Sequence, residues 1–163
     1  FDGGAYGVGI LTKMPIISSQ NVPLPHSAGN EPRTALQVAV EIPSGDTVCF
    51  ISTHLHHQRD NKDRLAQTAH INQTFTKSIH PAILAGDLND TPQSEAINRL
   101  KKFWTPTTGN APQPTHPSNN PERKIDYILF RPEKAWEVTE NKVICDSIAS
   151  DHCAVFTVLQ LLD

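Results

Sequence analysis

Polar side chains that can do acid, base or metal chemistry stand where apolar runs of this sequence begin or end. In chain order they are His54, Asp87, Asn89, Asp126, Asp151 and His152. Layered α/β proteins carry their catalytic groups on the loops at the ends of strands. We therefore expect three carboxylates, one amide and two imidazoles from separate strands to converge on a single site.

Each of these positions also has an ordinary structural interpretation. The segment His54 to His57 suits a solvated loop, Gly86 to Asn89 suits a plain turn, and Asp151 suits a turn cap. Asp126 is harder to explain in this way, because an ionised carboxylate that is half buried in a strand needs a partner. The predicted site is absent only if the ordinary interpretation is correct at every one of these positions.

The apolar pattern that must position these residues predicts strands and helices in an α/β layer arrangement. Thr34 to Ile42 and Thr47 to Thr53 alternate apolar and polar residues around a turn, which predicts a hairpin. Helices are predicted over Arg59 to Ile79 and from the N-cap Ser94 to Phe103. The other predicted strands are Tyr6 to Thr12, Pro81 to Ala85, Lys124 to Phe130, Val143 to Cys145 and Cys153 to Leu162.

Two stretches without periodicity are predicted to be surface loops that border the site, Ser18 to Pro32 and Thr105 to Arg123.

The 163 residues, 37% of them hydrophobic, are enough for one globular unit. No apolar run reaches the roughly eighteen residues of a membrane span, so no transmembrane segment is predicted. The formal net charge of −3 provides no global field for attracting a polyanion such as a nucleic acid.

Neither the cysteines nor the clustered histidines are arranged like a zinc site. Cys49, Cys145 and Cys153 lie in apolar or strand-like contexts, which predicts buried free thiols, with one disulfide plus one free thiol as the alternative. The histidines of His54 to His57 suggest zinc, but no matching pair of ligands follows downstream. The oxygen-rich set of candidate residues instead suits magnesium or manganese.

Four segments, in order, resemble the endonuclease/exonuclease/phosphatase superfamily, which includes DNase I, exonuclease III, neutral sphingomyelinases and inositol polyphosphate phosphatases. They read THL from Thr53, GDLNDTPQS from Gly86, KIDYIL from Lys124 and SDHCAV from Ser150. The segment YGVGILTKMPI, from Tyr6, is also similar to a strand of that superfamily. The resemblance implies a DNase I-like α/β sandwich of two sheets with flanking helices and the site at one edge.

The resemblance assigns catalytic roles to five residues of this sequence. It implies that Asp87 orients or deprotonates the attacking water and that Asn89 holds this water and a phosphoryl oxygen. His152 corresponds to the imidazole that contacts the phosphate, and Asp126 to the carboxylate that keeps this imidazole protonated. His54 corresponds to a second phosphate contact or a leaving-group acid, as in the DNase and sphingomyelinase branches; the apurinic endonuclease branch typically has Tyr there.

The resemblance also implies a cation and a substrate contact. Asp151 corresponds to a ligand on the metal side, and Mg²⁺ or Mn²⁺ is the implied cofactor. Arg33 resembles a substrate-binding arginine, with a solvated rim arginine as the alternative. The principal metal ligand of the superfamily, the Glu of a Leu-Gln-Glu segment, has no counterpart here. We therefore expect residues 1–163 to be the C-terminal part of one domain, whose N-terminal portion is missing or comes from another chain.

The expected function is a metal-dependent phosphoric ester hydrolase, in which activated water attacks a phosphodiester or phosphomonoester. A nuclease acting on DNA or RNA is the second interpretation. An inactive or binding module on the same fold is the third, because this chain alone lacks the principal Glu. The fold does not decide between a small-molecule, lipid or nucleic-acid phosphoester.

Overall fold

The computed structural model describes residues 6–109 and 112–162, which form two β-sheets and two α-helices. Helix α1 spans Lys62–Phe75 and helix α2 spans Glu95–Leu100. The strands are β1 (Ile16–Leu24), β2 (Arg33–Glu41), β3 (Thr47–His54), β4 (Ala82–Asp87), β5 (Thr105–Pro106), β6 (Asp126–Arg131), β7 (Trp136–Ile144) and β8 (Ala154–Leu161). Within the described ranges, no helix combines the length and apolar character needed to cross a membrane.

The larger sheet has six strands in the order β1-β2-β3-β4-β6-β5. Only the central pair β3 and β4 is parallel, because α1 connects these two strands as a crossover. The other neighbours in this sheet are antiparallel. The predicted hairpin is confirmed as β2 and β3, and Ser94 is confirmed as the N-cap of α2, where its side chain accepts a hydrogen bond from the Ile97 amide.

The main core lies between this sheet and the two helices. Alternate residues of β3 and β4 point inward, α2 adds an apolar face, and α1 adds Ile71 and Phe75 from a buried face that is otherwise polar. The fully buried side chains of this core include Ile51, Leu84, Leu129, Ile71, Ile97 and Trp104. Burying a large apolar side chain stabilises a fold by about 1.5–3 kcal/mol, so this layer fixes the sheet that carries the polar strand ends.

The second sheet is the antiparallel pair β7 and β8, which packs on the opposite face of the larger sheet. Val40, Val48, Phe130 and Trp136 form the buried centre of this contact. Trp136 also donates its indole N–H to the carbonyl of Arg131, so the hydrogen-bonding group of the ring is satisfied. The fold is the mixed α/β arrangement that the sequence predicts.

Three element predictions are wrong in position. Tyr6 to Thr12 contains no strand residues and is largely exposed, because no described strand pairs with it. The predicted loop Ser18 to Pro32 contains most of β1, an edge strand that exposes most of its side chains and therefore lacks an apolar pattern. The strand predicted at Val143 to Cys145 begins earlier, at Trp136.

The prediction of three buried free thiols is also wrong. Cys145 and Cys153 form a disulfide, whereas Cys49 is a buried free thiol. This is the alternative of one disulfide plus one free thiol. The pairing depends on the antiparallel register of β7 and β8, which brings the end of one strand next to the start of the other.

Candidate active site

Three of the predicted residues lie side by side in the larger sheet, where β3 and β4 end and β6 begins. His54 of β3 is opposite Asp87 of β4 in the parallel register, and Asp87 is opposite Asp126 of β6 in the antiparallel register. The Nε2 atom of His54 lies 3.4 Å from the Oδ2 atom of Asp87. The backbone pairing of three neighbouring strands therefore aligns these side chains directly.

His152 joins this row from the loop before β8. Its Nδ1 atom lies 3.1 and 3.0 Å from the two carboxylate oxygens of Asp126. Partial burial opposes the charged imidazole, but the hydrogen bond and the negative charge of Asp126 outweigh this effect and raise the pKa of His152. Asp126 thus orients His152 and favours its protonated form.

His54 has the opposite electrostatic setting. Burial and, after it, the positive charge of Arg33 lower the pKa of His54 to about 4. The Nδ1 atom of His54 lies 2.7 Å from the hydroxyl of Tyr6. Since Nε2 faces the Asp87 carboxylate, which only accepts hydrogen bonds, Nδ1 is the nitrogen that accepts from Tyr6.

Asp87 and Asn89 form a tight local turn after β4. Burial raises the pKa of Asp87, although the amide of Asn89 donates to its Oδ1 at 2.8 Å and opposes this rise. Asn89 has a φ of 51°, a left-handed conformation that Asn tolerates better than most residues. Its side-chain amide donates to the carbonyl of Leu55 at 2.9 Å, which ties this turn to the loop after β3.

A buried polar face of α1 holds the loop after β3. Arg64 donates to the carbonyl of His56 and pairs with Asp90 through Nε at 3.1 Å. The Oε1 atom of Gln67 accepts from the His56 amide at 2.9 Å. Sequence reasoning missed Arg64 and Gln67, although both are polar residues on a helix whose other buried positions are partly apolar. They fix the backbone that carries the strand ends of the candidate site.

Arg33 lies behind His54 and is almost completely buried, with 6% of its surface exposed. Its Nη2 atom pairs with Glu31 at 2.8 Å and lies 3.4 Å from Nδ1 of His57. The guanidinium also stands 5.7 Å from the centre of the Tyr6 ring. The alternative of a solvated rim arginine is therefore wrong, and a substrate contact by Arg33 stays a prediction.

Asp151 lies on the other side of His152, away from the row of Asp87 and Asp126. Its exposed carboxylate is 3.8 Å from Nε2 of His116, a residue that sequence reasoning missed because it lies in a loop without periodicity. Two groups of residues in the described chain have metal-ligand spacing, and His152 is common to both. They are Asp87, Asp126 and His152, and His116, Asp151 and His152.

Thr115, also missed, links the segments that carry Asp126 and His152. Its side-chain oxygen accepts from the amides of Ile125 and Asp126, each at 3.2 Å, and its carbonyl accepts from the Cys153 amide at 2.7 Å. Thr115 is fully buried. One residue therefore fixes the backbone on both sides of the contact between Asp126 and His152, and only the three-dimensional structure reveals it.

The residues grouped at the ends of β4 and β6 fit a hard divalent cation. Asp87 and Asp126 supply carboxylate oxygens within 4.8 Å of each other, which suits Mg²⁺ or Mn²⁺. His56 and His57 belong to neither group with metal-ligand spacing in the described chain. His56 is buried, and Nδ1 of His57 lies 3.4 Å from Arg33.

Comparisons with known proteins agree with the fold of this chain. A sequence profile of the Endonuclease/Exonuclease/phosphatase family matches residues 1–152. A functionally unknown conserved protein from Enterococcus faecalis is 23% identical, with a TM-score of 0.80 and coverage of 92% of this chain and 68% of that chain. The mannosyl-6-phosphatase of Bacteroides thetaiotaomicron is 18% identical, with a TM-score of 0.75 and coverage of 91% and 68%.

The catalytic domain of human Nocturnin is similar as well, with 20% identity and a TM-score of 0.66. The alignment covers 89% of this chain and 60% of the Nocturnin chain. At these identities the three structures show a common fold. The chain spans roughly two thirds of the length of such structures.

Proposed function

Because this chain belongs to the endonuclease/exonuclease/phosphatase family, we propose that it hydrolyses a phosphodiester or phosphomonoester with the help of a divalent cation. The observation that carries the proposal is the alignment of His54, Asp87 and Asp126 across three strands, completed by the pair of Asp126 and His152. Carboxylates and an imidazolium grouped at the same end of these strands suit attack of water on phosphorus.

Asp87 is the proposed general base. Burial raises its pKa, so its affinity for the proton of an attacking water is greater than that of an exposed aspartate. Asn89 orients the water through Oδ1, since its Nδ2 is already bonded to Leu55. His152, held protonated by Asp126, donates to a phosphoryl oxygen and stabilises the negative charge that develops there.

Asp151 is the proposed ligand on the metal side, and Asp126, which belongs to the other group with metal-ligand spacing, is the further candidate. A bound Mg²⁺ or Mn²⁺ would polarise the phosphoryl group and neutralise part of its charge. Protein outside this chain is the proposed source of the principal Glu ligand that the family pattern contains. His54, neutral above about pH 4, contributes a hydrogen bond to the substrate or the leaving group.

A small or lipid phosphoester is the proposed substrate class. The net charge of −3 gives no general attraction for a polyanion, which weakens the alternative of a nuclease. The structurally similar mannosyl-6-phosphatase is, by its name, an enzyme that acts on a sugar phosphate. A small substrate is therefore compatible with this fold.

The proposal is tested with the complete natural polypeptide that contains this sequence. Chromogenic aryl phosphate mono- and diesters should be hydrolysed with Mg²⁺ or Mn²⁺, and EDTA should abolish the activity. Asp87→Asn and His152→Ala should each lower kcat/KM by roughly 100-fold or more, because they remove the base and the phosphate contact.

Asp46→Asn and His80→Ala are the matched controls, since both residues are exposed and lie at the opposite end of the larger sheet. Both should keep wild-type rates. Undiminished activity of His152→Ala would contradict the assigned roles. Salt-sensitive degradation of plasmid DNA or RNA, with no cleavage of the aryl esters, would instead favour the nuclease. Absence of any metal-dependent hydrolysis would favour an inactive or binding module.

A further inference from the structure

His116 lies directly beside His152, outside the row of residues that the proposed reaction uses. The two imidazole rings are 4.7 Å apart between their centres and tilted by 58°. One ring nitrogen from each histidine and a carboxylate oxygen of Asp151 all lie within 4.8 Å of one another. His116 therefore lies next to the side of the His152 ring that is not bonded to Asp126.

The backbone holds His116 firmly in this place. It pairs with Arg123 across a short antiparallel bridge, in which each backbone amide donates to the carbonyl of the other residue at 2.9–3.0 Å. Two residues further on, the Ser118 amide donates to the carbonyl of Asp151 at 2.7 Å. The turn that carries His116 is thus fastened to the loop that carries His152.

Arg123 also determines which nitrogen of His116 carries a proton. The Nη2 atom of Arg123 lies 3.0 Å from Nδ1 of His116. Because a guanidinium only donates hydrogen bonds, Nδ1 must accept, and the proton of the neutral ring stands on Nε2. His116 thereby presents an N–H donor on the side of Asp151 and His152.

This donor has no acceptor of its own in the described part of the chain. The Oδ2 atom of Asp151 is 3.8 Å from Nε2, which is beyond hydrogen-bond distance. A metal ion at this nitrogen would move the proton to Nδ1, where it would meet the donors of Arg123. The arrangement therefore suits an oxygen acceptor from a ligand better than a cation.

We propose that His116 is a specificity-determining residue, which donates through Nε2–H to the same phosphoryl group that His152 contacts and thereby favours phosphomonoesters. This inference rests on the proposed phosphoesterase function. A monoester has three terminal oxygens that accept hydrogen bonds, whereas a diester has two and carries a weakly accepting ester oxygen in the third position. In the proposed site the cation and His152 take the two terminal oxygens that a diester also has, so the donor of His116 is left to bind the third terminal oxygen, which only a monoester has.

The first test compares hydrolysis of p-nitrophenyl phosphate and bis(p-nitrophenyl) phosphate by the complete protein. His116→Phe keeps a ring of similar size but removes both nitrogens, and His80→Phe is the matched control at an exposed site. For His116→Phe we expect kcat/KM for the monoester to fall about tenfold or more, as for a lost hydrogen bond to a charged group. The value for the diester should stay within about twofold of the wild type.

The second test is independent of turnover and uses the wild-type protein. Two-bond ¹H–¹⁵N NMR spectra should show the Nε2-protonated tautomer of His116, and inorganic phosphate with Mg²⁺ should shift its Nε2 resonance but not those of His80. Arg123→Met should allow the other tautomer to appear. This test stays valid if His116→Phe fails to fold.

The outcomes separate the two proposals. Equal loss on both esters, or no loss on either, would overturn the role of His116 while leaving the phosphoesterase intact. A wild-type protein that hydrolyses neither ester would contradict the proposed function. In that case an unshifted His116 resonance with phosphate would overturn this inference too, and a shifted one would support phosphate recognition at this position.

Discussion

His54 and His152 flank the same pair of carboxylates but prefer opposite protonation states. His152 gains a hydrogen bond and a charge interaction from Asp126, which raise its pKa. For His54, burial and, after it, the charge of Arg33 lower the pKa to about 4. One site thus contains a cationic and a neutral imidazole at the same pH, which is the usual basis for separate roles of two like residues.

We predict that an NMR titration of the metal-free protein will separate the two histidines. His152 should titrate above the ordinary value of 6.5 and His54 at about 4. Asp126→Asn should lower the pKa of His152, because it removes the negative charge, and should change that of His54 much less. Two histidines that both titrate near the ordinary value, with or without Asp126, would contradict the assignment.

These shifts have opposite consequences for stability. His152 contributes stability that is fully present below its unfolded pKa and is lost as the pH rises through its higher folded pKa. The folded protein keeps His54 neutral while the unfolded chain binds a proton near pH 6.5, so the contribution of His54 is lost as the pH falls from there towards about 4.

At the scale of the elements, Gly86 allows β3 and β4 to approach closely one residue before His54 and Asp87 of the candidate site. Gly86 is opposite Thr53 in the parallel register, one residue before His54 and Asp87. A Cβ atom added to Gly86 would stand 1.8 Å from the carbonyl oxygen of Thr53. The φ of 152° at Gly86 is also one that other residues rarely adopt.

Gly86→Ala should therefore destabilise the protein by roughly 2–4 kcal/mol, because one of the strands must move. It should also lower activity, since the separation of His54 and Asp87 depends on the same register. Gly45→Ala is the matched control: Gly45 has a φ of 90° but open space around it, so only about 1 kcal/mol of backbone strain is expected. Chemical denaturation measures both changes, and equal losses would refute the steric explanation.

At the scale of the whole molecule, the loop that carries His152 connects the two sheets. The Cys145–Cys153 disulfide closes this loop between β7 and β8, with a sequence separation of 8. On the other side, Ser118 donates to the carbonyls of Ser150 and Asp151. The position of His152 therefore depends on the smaller sheet as well as on the larger one.

Removing the disulfide with Cys145→Ser and Cys153→Ser together should lower the free energy of unfolding by about 2.5 kcal/mol, the loop-entropy value for a loop of this size. Reductant should destabilise the wild type similarly and leave the double variant unchanged. In the denatured protein, alkylation followed by peptide mapping should label Cys49 alone of the three cysteines of this sequence before reduction, and all three after it. Labelling of Cys145 and Cys153 before reduction would refute the pairing.

The sequence by itself determined the features that depend on neighbouring residues. The hairpin of β2 and β3, the helix α1 and the cap at Ser94 follow from periodicity and turn chemistry. The polar residues at strand ends could also be found, because they interrupt apolar runs. That Asp126 meets His152 was implied by the resemblance, and the structure brings their side chains into contact.

Tertiary structure decided the features whose partners are distant in the chain. The strand β1 forms because β2 offers it an edge, although most of its side chains remain exposed. Tyr6 reaches His54, His116 reaches His152, and Cys145 reaches Cys153 through contacts that no local pattern records. A local pattern encodes which side of a strand or helix is apolar, whereas a residue in an irregular segment obtains its partners only when the sheets have been assembled.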